Sequence, residues 1–140
     1  MSLISRMRGD TDGAAALEFA IIAPLFFMTI FTMVGYGIYL SATHAIQQIA
    51  ADAARTAVAG LSETERKSLA QSFIQSSALD YAFINKAKLT VAVADDVQNH
   101  NQFTVTIVYD SSDLPIWKLF SFALPDEKIK RYATIRLGGI

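Results

Sequence analysis

Glu18 is the side chain whose chemistry fits its surroundings least. No Asp, Glu, Lys or Arg follows it until Asp52. An acid in membrane hydrocarbon costs about 2.5 to 3.5 kcal/mol at a helix centre on insertion scales, and less near an end. Two readings fit a carboxylate there. It is solvated by headgroups at a membrane boundary, or it waits for a cation that the local sequence does not supply. At a helix start it would also face the positive end of the macrodipole. The other candidates are weaker. His44 and His100 are the two histidines and lie far apart, with no acid-rich cage beside either, so no metal is expected. Asp95 and Asp96 are adjacent acids that either bind calcium or serve as solvated turn residues, and the turn is the commoner use. Asp110, Ser111, Ser112 and Asp113 also read as turn chemistry. Trp117 with Phe120 and Phe122 reads as core packing, or as a docking or membrane-interface patch. With no cysteine there is no disulfide, thiol nucleophile or cysteine metal site. We find no nucleophilic triad, glycine-rich phosphate loop or convincing carboxylate pair, so no catalysis, small-molecule substrate or cofactor is expected. A net charge of −1 without clustered Lys and Arg gives no footprint for nucleic acid.

The elements that must place these residues follow from hydropathy. Hydrophobic residues make up 52% of the 140, more than a soluble domain of this size usually carries, and the excess sits in one run. Residues 19–40, FAIIAPLFFMTIFTMVGYGIYL, are apolar almost throughout. As a helix these roughly 22 residues rise about 33 Å, enough for a bilayer core. A buried helix of a soluble protein would usually keep a polar face. A cleaved secretory signal would have a shorter apolar region and a small-x-small site, and only a poor one lies near Thr43 to Ala45. An uncleaved anchor on that side is therefore expected. Arg6 and Arg8 precede the run and no Lys or Arg follows until Arg55. The positive-inside rule then puts the amino terminus in the cytoplasm and the rest outside. Pro24 removes one helical hydrogen bond and should kink or loosen the helix locally.

Good helix formers continue past the apolar run. Ile46, Ile49, Ala53 and Ala57 share one face, Gln47, Gln48 and Arg55 the other, with Asp52 at its edge. Gly60 is the expected stop. A helix over residues 14–59 would be roughly 69 Å long, so its second half must stand beyond the membrane. Gly37, Ser41 and Ala45, four apart, would let another helix approach closely, although ordinary composition produces such trios too.

The remainder reads as a small α+β unit. Ser62 and Glu65 form a capping-box pattern opening a helix to about Ser77, with Leu69 and Phe73 as its main apolar contacts. The period then changes to two. Leu89, Val91 and Val93 form one strand, and Phe103, Val105, Ile107 and Tyr109 form the clearest one. After a loop with Pro115 and Pro125, a third carries Ala133, Ile135 and Leu137. Three antiparallel strands could bury one face against the helices.

One string carries a resemblance. GAAALEFAIIAP (Gly13 to Pro24) resembles the processing region of type IV-like prepilins: Gly13, four residues, Glu18, then the aromatic Phe19. It is more closely similar to the opening of TadE-like proteins of the tight-adherence (Tad, Flp) pilus system, an opening that TadF-like and TadG-like proteins share. AADAARTAVAG (Ala50 to Gly60) resembles the alanine-rich segment with an Arg that follows the anchor in that family. FTVTIVYD and RYATIRL resemble its carboxy-terminal end. The resemblance implies a pilin-like minor pilin or pseudopilin. A membrane-embedded prepilin peptidase would cut between Gly13 and Ala14, making residues 1–13 a cytoplasmic leader, 14–60 the long helix and 61–140 a small periplasmic unit in the bacterial inner membrane. The Ala14 ammonium of an incoming subunit would pair with Glu18 of a neighbour and set register. Expected partners are the peptidase, other pilin subunits and the Tad assembly platform. Two other functions remain open on the residues: an unprocessed, signal-anchored periplasmic binding or sensor protein, and a pseudopilin of a type II-like secretion system.

Overall fold

The computed structural model describes residues 11–76, 81–99, 101–119 and 125–138. The expectations for Arg6, Arg8, His100, Phe120 and Phe122 lie outside the described residues, as does most of the leader.

A long run of good helix formers gives one helix, α1, from Thr11 to Ala57, 47 residues. At 1.5 Å per residue it is about 70 Å long. It runs through Pro24, whose missing N–H leaves the Ala20 carbonyl without its helical donor. Beyond the helix end, the Gly60 amide donates to the Ala57 carbonyl at 3.0 Å. Helix α2, Glu63–Gln75, begins at the N-cap Ser62, whose hydroxyl accepts from the Glu65 amide at 3.2 Å. The expected capping box closes one residue earlier than its usual form. Glu65 accepts from the amide of Leu61, not of Ser62, at 2.9 Å. A 3-10 turn over Lys86–Lys88 leads into β1, Leu89–Asp95. Strand β2 is Gln102–Asp110, and a single helical turn, α3, covers Ile116–Leu119. Strand β3, Lys128–Arg136, begins before the expected alternation and already has Ile129 in the core.

The strands form an antiparallel sheet in the order β1-β2-β3. Val91 faces Ile107 in one pair and Val105 faces Ala133 in the other. Phe103, Val105, Ile107 and Tyr109 all point inward and are buried. Thr104 and Thr134 share a 2.8 Å hydrogen bond between hydroxyls on the opposite, outer face. The inner face packs on α1 and α2, giving an α+β fold.

The second half of α1 is inside this fold. Ile46, Ile49, Ala50, Ala53, Ala54 and Ala57 are all 0% exposed. Alanines on this stripe let α2 and the sheet approach the helix backbone closely. On α2 the buried positions are Arg66, Ala70 and Ile74, while Leu69 and Phe73 are only half-buried. The expected apolar contacts of α2 are thus corrected in part: its most buried row is i, i+4, i+8 one step along, while Phe73 packs against the core from its edge. Strand β3 rises along α1. The Tyr39 hydroxyl donates to the Asp126 carbonyl at 3.4 Å, and Gln47 Nε2 donates to that of Tyr132 at 3.1 Å.

Candidate membrane-spanning and assembly face

The first half of α1 is bare. From Gly13 to Val34 no residue is buried. Phe19, Leu25 and Met33 are 70%, 71% and 72% exposed. Thr29 and Thr32 hide their polarity by donating to the carbonyls one turn back, those of Leu25 at 2.9 Å and Met28 at 2.7 Å. Phe27 meets Phe26 edge-on and stacks with Phe31, with ring centroids 6.0 and 6.4 Å apart. The helix is long and apolar enough to cross a membrane, and its apolar window is wholly uncovered, unlike the core helix of a soluble protein. Monomeric soluble proteins rarely leave an apolar patch above a few hundred Å² open to water.

The residues singled out by spacing all lie on this helix. Gly13, Ala14, Glu18 and Phe19 are helical and exposed. Ala14 and Glu18 are four apart and therefore stacked on one face, one turn from each other. The Gly13–Ala14 bond lies within the first turn of α1. Among Gly37, Ser41 and Ala45, a Cβ placed on Gly37 would touch nothing within 4 Å, and Ser41 is exposed. Ala45 is turned into the core, so a helix arriving on this face would meet the first two.

The other candidate acids have structural partners. Asp96 accepts from the amides of Gln98 at 2.8 Å and Asn99 at 2.9 Å, a side-chain-capped turn. Asp110 accepts from the Ser112 amide at 3.0 Å, and the Ser112 hydroxyl and amide hold its carboxyl below the usual carboxylate value. Lys88 pairs with Asp113 at 2.7 Å, which raises its ammonium above the ordinary lysine value. Trp117 packs edge-on against Tyr39, centroids 6.2 Å apart, and donates its indole N–H to the Ser111 carbonyl. No cluster of three potential metal ligands occurs among the described residues. An open groove of about 590 Å³ between α2 and β1 is lined by Gln71, Ile74, Lys86 and Thr90 among others, without converging acids.

Sequence spacing missed Arg66. Its Nη1 donates to Asp95 at 2.6 Å, its Nε donates to the Gly60 carbonyl at 3.1 Å, and its guanidinium lies 5.1 Å from the Phe103 ring centroid. Glu63 adds an acceptor for the Asp95 amide at 3.2 Å. One side chain thus ties the end of α1, the start of α2 and the end of β1. The row Arg66, Ala70, Ile74 was the available signal, since it puts a cation on the face that must turn inward.

Among family models, that of TadE-like protein matches residues 13–55. The match begins at the Gly13 of the prepilin-like string, covers α1 almost end to end and stops before α2. It is consistent with a TadE-like protein of the Tad pilus system. No curated protein and no solved structure matches the chain.

Proposed function

We propose that the chain is a minor pilin or pseudopilin acting in assembly of a Tad-type pilus, anchored and packed through α1. The observation that carries this reading is the coincidence of the TadE-like match with the bare apolar half of α1 and with Gly13 at its start. In this reading residues 1–13 are a cytoplasmic leader, 14–60 the anchoring and packing helix, and 61–140 complete a periplasmic unit. A prepilin peptidase removes the leader between Gly13 and Ala14, so the chain is a substrate of that enzyme and not a catalyst. Because the bond lies in the first helical turn, the peptidase must first unwind that turn. The lack of a side chain on Gly13 suits close backbone approach to an active site.

After cleavage the rods leave lipid for a filament core, where Leu25, Phe26 and Phe31 meet other subunits instead of acyl chains. Head-to-tail contacts between such rods form open helical assemblies. Gly37 and Ser41 offer a low-relief surface for close helix approach. Partners in this reading are the inner membrane, the peptidase, other pilin or pseudopilin subunits and the Tad platform.

Intact-mass and amino-terminal analysis of protein extracted from native membranes tests the reading. A chain beginning at Ala14 is expected, and Gly13→Val should leave the leader attached. A wild-type chain still beginning at Met1 or Ser2 would overturn the processing step and leave a static anchor.

A further inference from the structure

The bare part of α1 is too short for the bilayer it is read as crossing. Glu18 is the last charge before the apolar run, and the fold closes over the helix from Gly35, with Tyr36, Ile38 and Tyr39 packed against the core. Between them, residues 19–34 rise about 24 Å, against roughly 30 Å of hydrocarbon. The apolar sequence itself does not end at Val34. It continues to Leu40, still 53% exposed, and residues 19–40 as a helix rise about 33 Å, which does match. The last turn and a half of the span therefore lies beside folded protein.

The part of the fold at that level is the α3 turn. Trp117 is held edge-on against Tyr39, and Tyr39 is also bonded to the Asp126 carbonyl at the foot of β3. Trp117 and Tyr39 are both half-buried, each with an apolar ring and a polar atom already engaged. These are the residue types that settle at the level of lipid headgroups. Charges near this end are mixed. Lys88 is paired with Asp113, and Lys128 faces Asp110 in the strand register, with Lys118, Asp126 and Glu127 nearby. Attraction to an anionic surface is thus not the driving term.

From this geometry we propose that the fold does not stand clear of the membrane before assembly. It is seated on the outer leaflet, with Trp117 and Tyr39 in the interfacial layer of phospholipid. Headgroups and upper acyl chains cover the turn of α1 that the fold leaves open. The inference rests on the anchoring reading of α1. It implies that entry into a filament requires a lipid contact of the folded part to break, not only the transfer of a rod.

Trp117 is the one tryptophan of the chain, so its emission reports a single place. The full chain is reconstituted in phosphatidylcholine vesicles, recovered by flotation, and compared in unlabelled lipid, in lipid brominated on the upper acyl chain and in lipid brominated near the chain end. A second variant carries Trp117→Phe with Val97→Trp, which moves the reporter to the β1–β2 turn at the far end of the fold, where Val97 is 88% exposed. Trp117 should lose emission most strongly in lipid brominated on the upper chain, and the loss should persist in high salt. The Val97→Trp reporter should show no loss and should be quenched by aqueous iodide. A floated protein whose Trp117 is unaffected by brominated lipid would overturn the seating while leaving the anchor intact. Equal loss at both positions would overturn it as well, by showing a fold lying in the membrane. Failure to float would remove the anchoring reading, and the seating with it.

Discussion

At the residue scale, the proposed removal of the leader would change what Glu18 faces. In the uncut chain it is a carboxylate about two turns into α1, the last charge before the apolar run. The proposed cleavage would put a new Ala14 ammonium at the helix start, where the macrodipole disfavours a positive charge. Glu18, four residues on, lies on the same face, so it can compensate that ammonium within its own chain or pair with that of a neighbour. Transfer to a dry filament core favours whichever arrangement leaves no carboxylate unpaired, since a lone buried charge is heavily penalised. Glu18→Ala should therefore insert into membranes like wild type, because it removes a polar group from the apolar side of the interface. It should reduce filament assembly by tenfold or more, scored by pilus yield sheared from cells. Full piliation in the variant would show that Glu18 sets no register. The position of Glu18 is legible from spacing alone, because an acid at the edge of a long uncharged run needs no tertiary information. Arg66 was not legible in that way. Its role depends on three partners, Gly60, Asp95 and Phe103, that are far apart in the chain and meet only in the fold.

At the element scale, the junction of α1 and α2 is a tight passage. A Cβ added to Gly60 would stand 2.7 Å from the Arg66 amide nitrogen and 2.8 Å from its Cγ, inside contact distance of a backbone that cannot step aside. The glycine is needed for this close approach, since the helix already ends at Ala57. Gly60→Ala should destabilise the folded part by about 1 to 3 kcal/mol, the usual range for overpacking a filled site. Urea unfolding of the detergent-solubilised protein measures it, and an unchanged midpoint would mean that α2 can shift outward freely. Strand β2 was the element best read from sequence, because one face is buried and the other solvated, so its inward row alternates strictly. The start of β3 was hidden because Ile129 stands between lysines and alone marks the inner face there. The inner face of α2 was misread for the complementary reason. Leu69 and Phe73 stand one position back along the helix from the buried Ala70 and Ile74, and Arg66 in that row disguises it as a polar face.

At the scale of the whole molecule, one helix belongs to two environments, and the change comes within it and not at its end. Residues 13–34 contribute nothing to the core, whereas Tyr36, Ile38 and Tyr39 pack against it and residues from Ala42 onward supply one wall of it. Ile46 and Ile49 alone, fully buried, are worth about 1.5 to 3 kcal/mol each, and the alanines between them admit the sheet. Against a net stability of about 5 to 15 kcal/mol for an ordinary domain, losing that wall would also strand Phe103, Val105 and Ile129 against water. A chain beginning at Tyr36 should therefore fold without a membrane, melt cooperatively and keep the near-ultraviolet circular dichroism of Tyr109 and Trp117 in fixed surroundings. A chain beginning at Leu61, which keeps α2 and all three strands, should show neither property. Cooperative melting of that shorter chain would mean that the sheet and α2 suffice, and that α1 is docked onto a finished fold. If instead only the longer chain folds, the packing of α1 and the fold of the sheet are one event. Any tilt or translation of the rod, such as entry into the proposed filament would impose, must then be carried rigidly into the sheet.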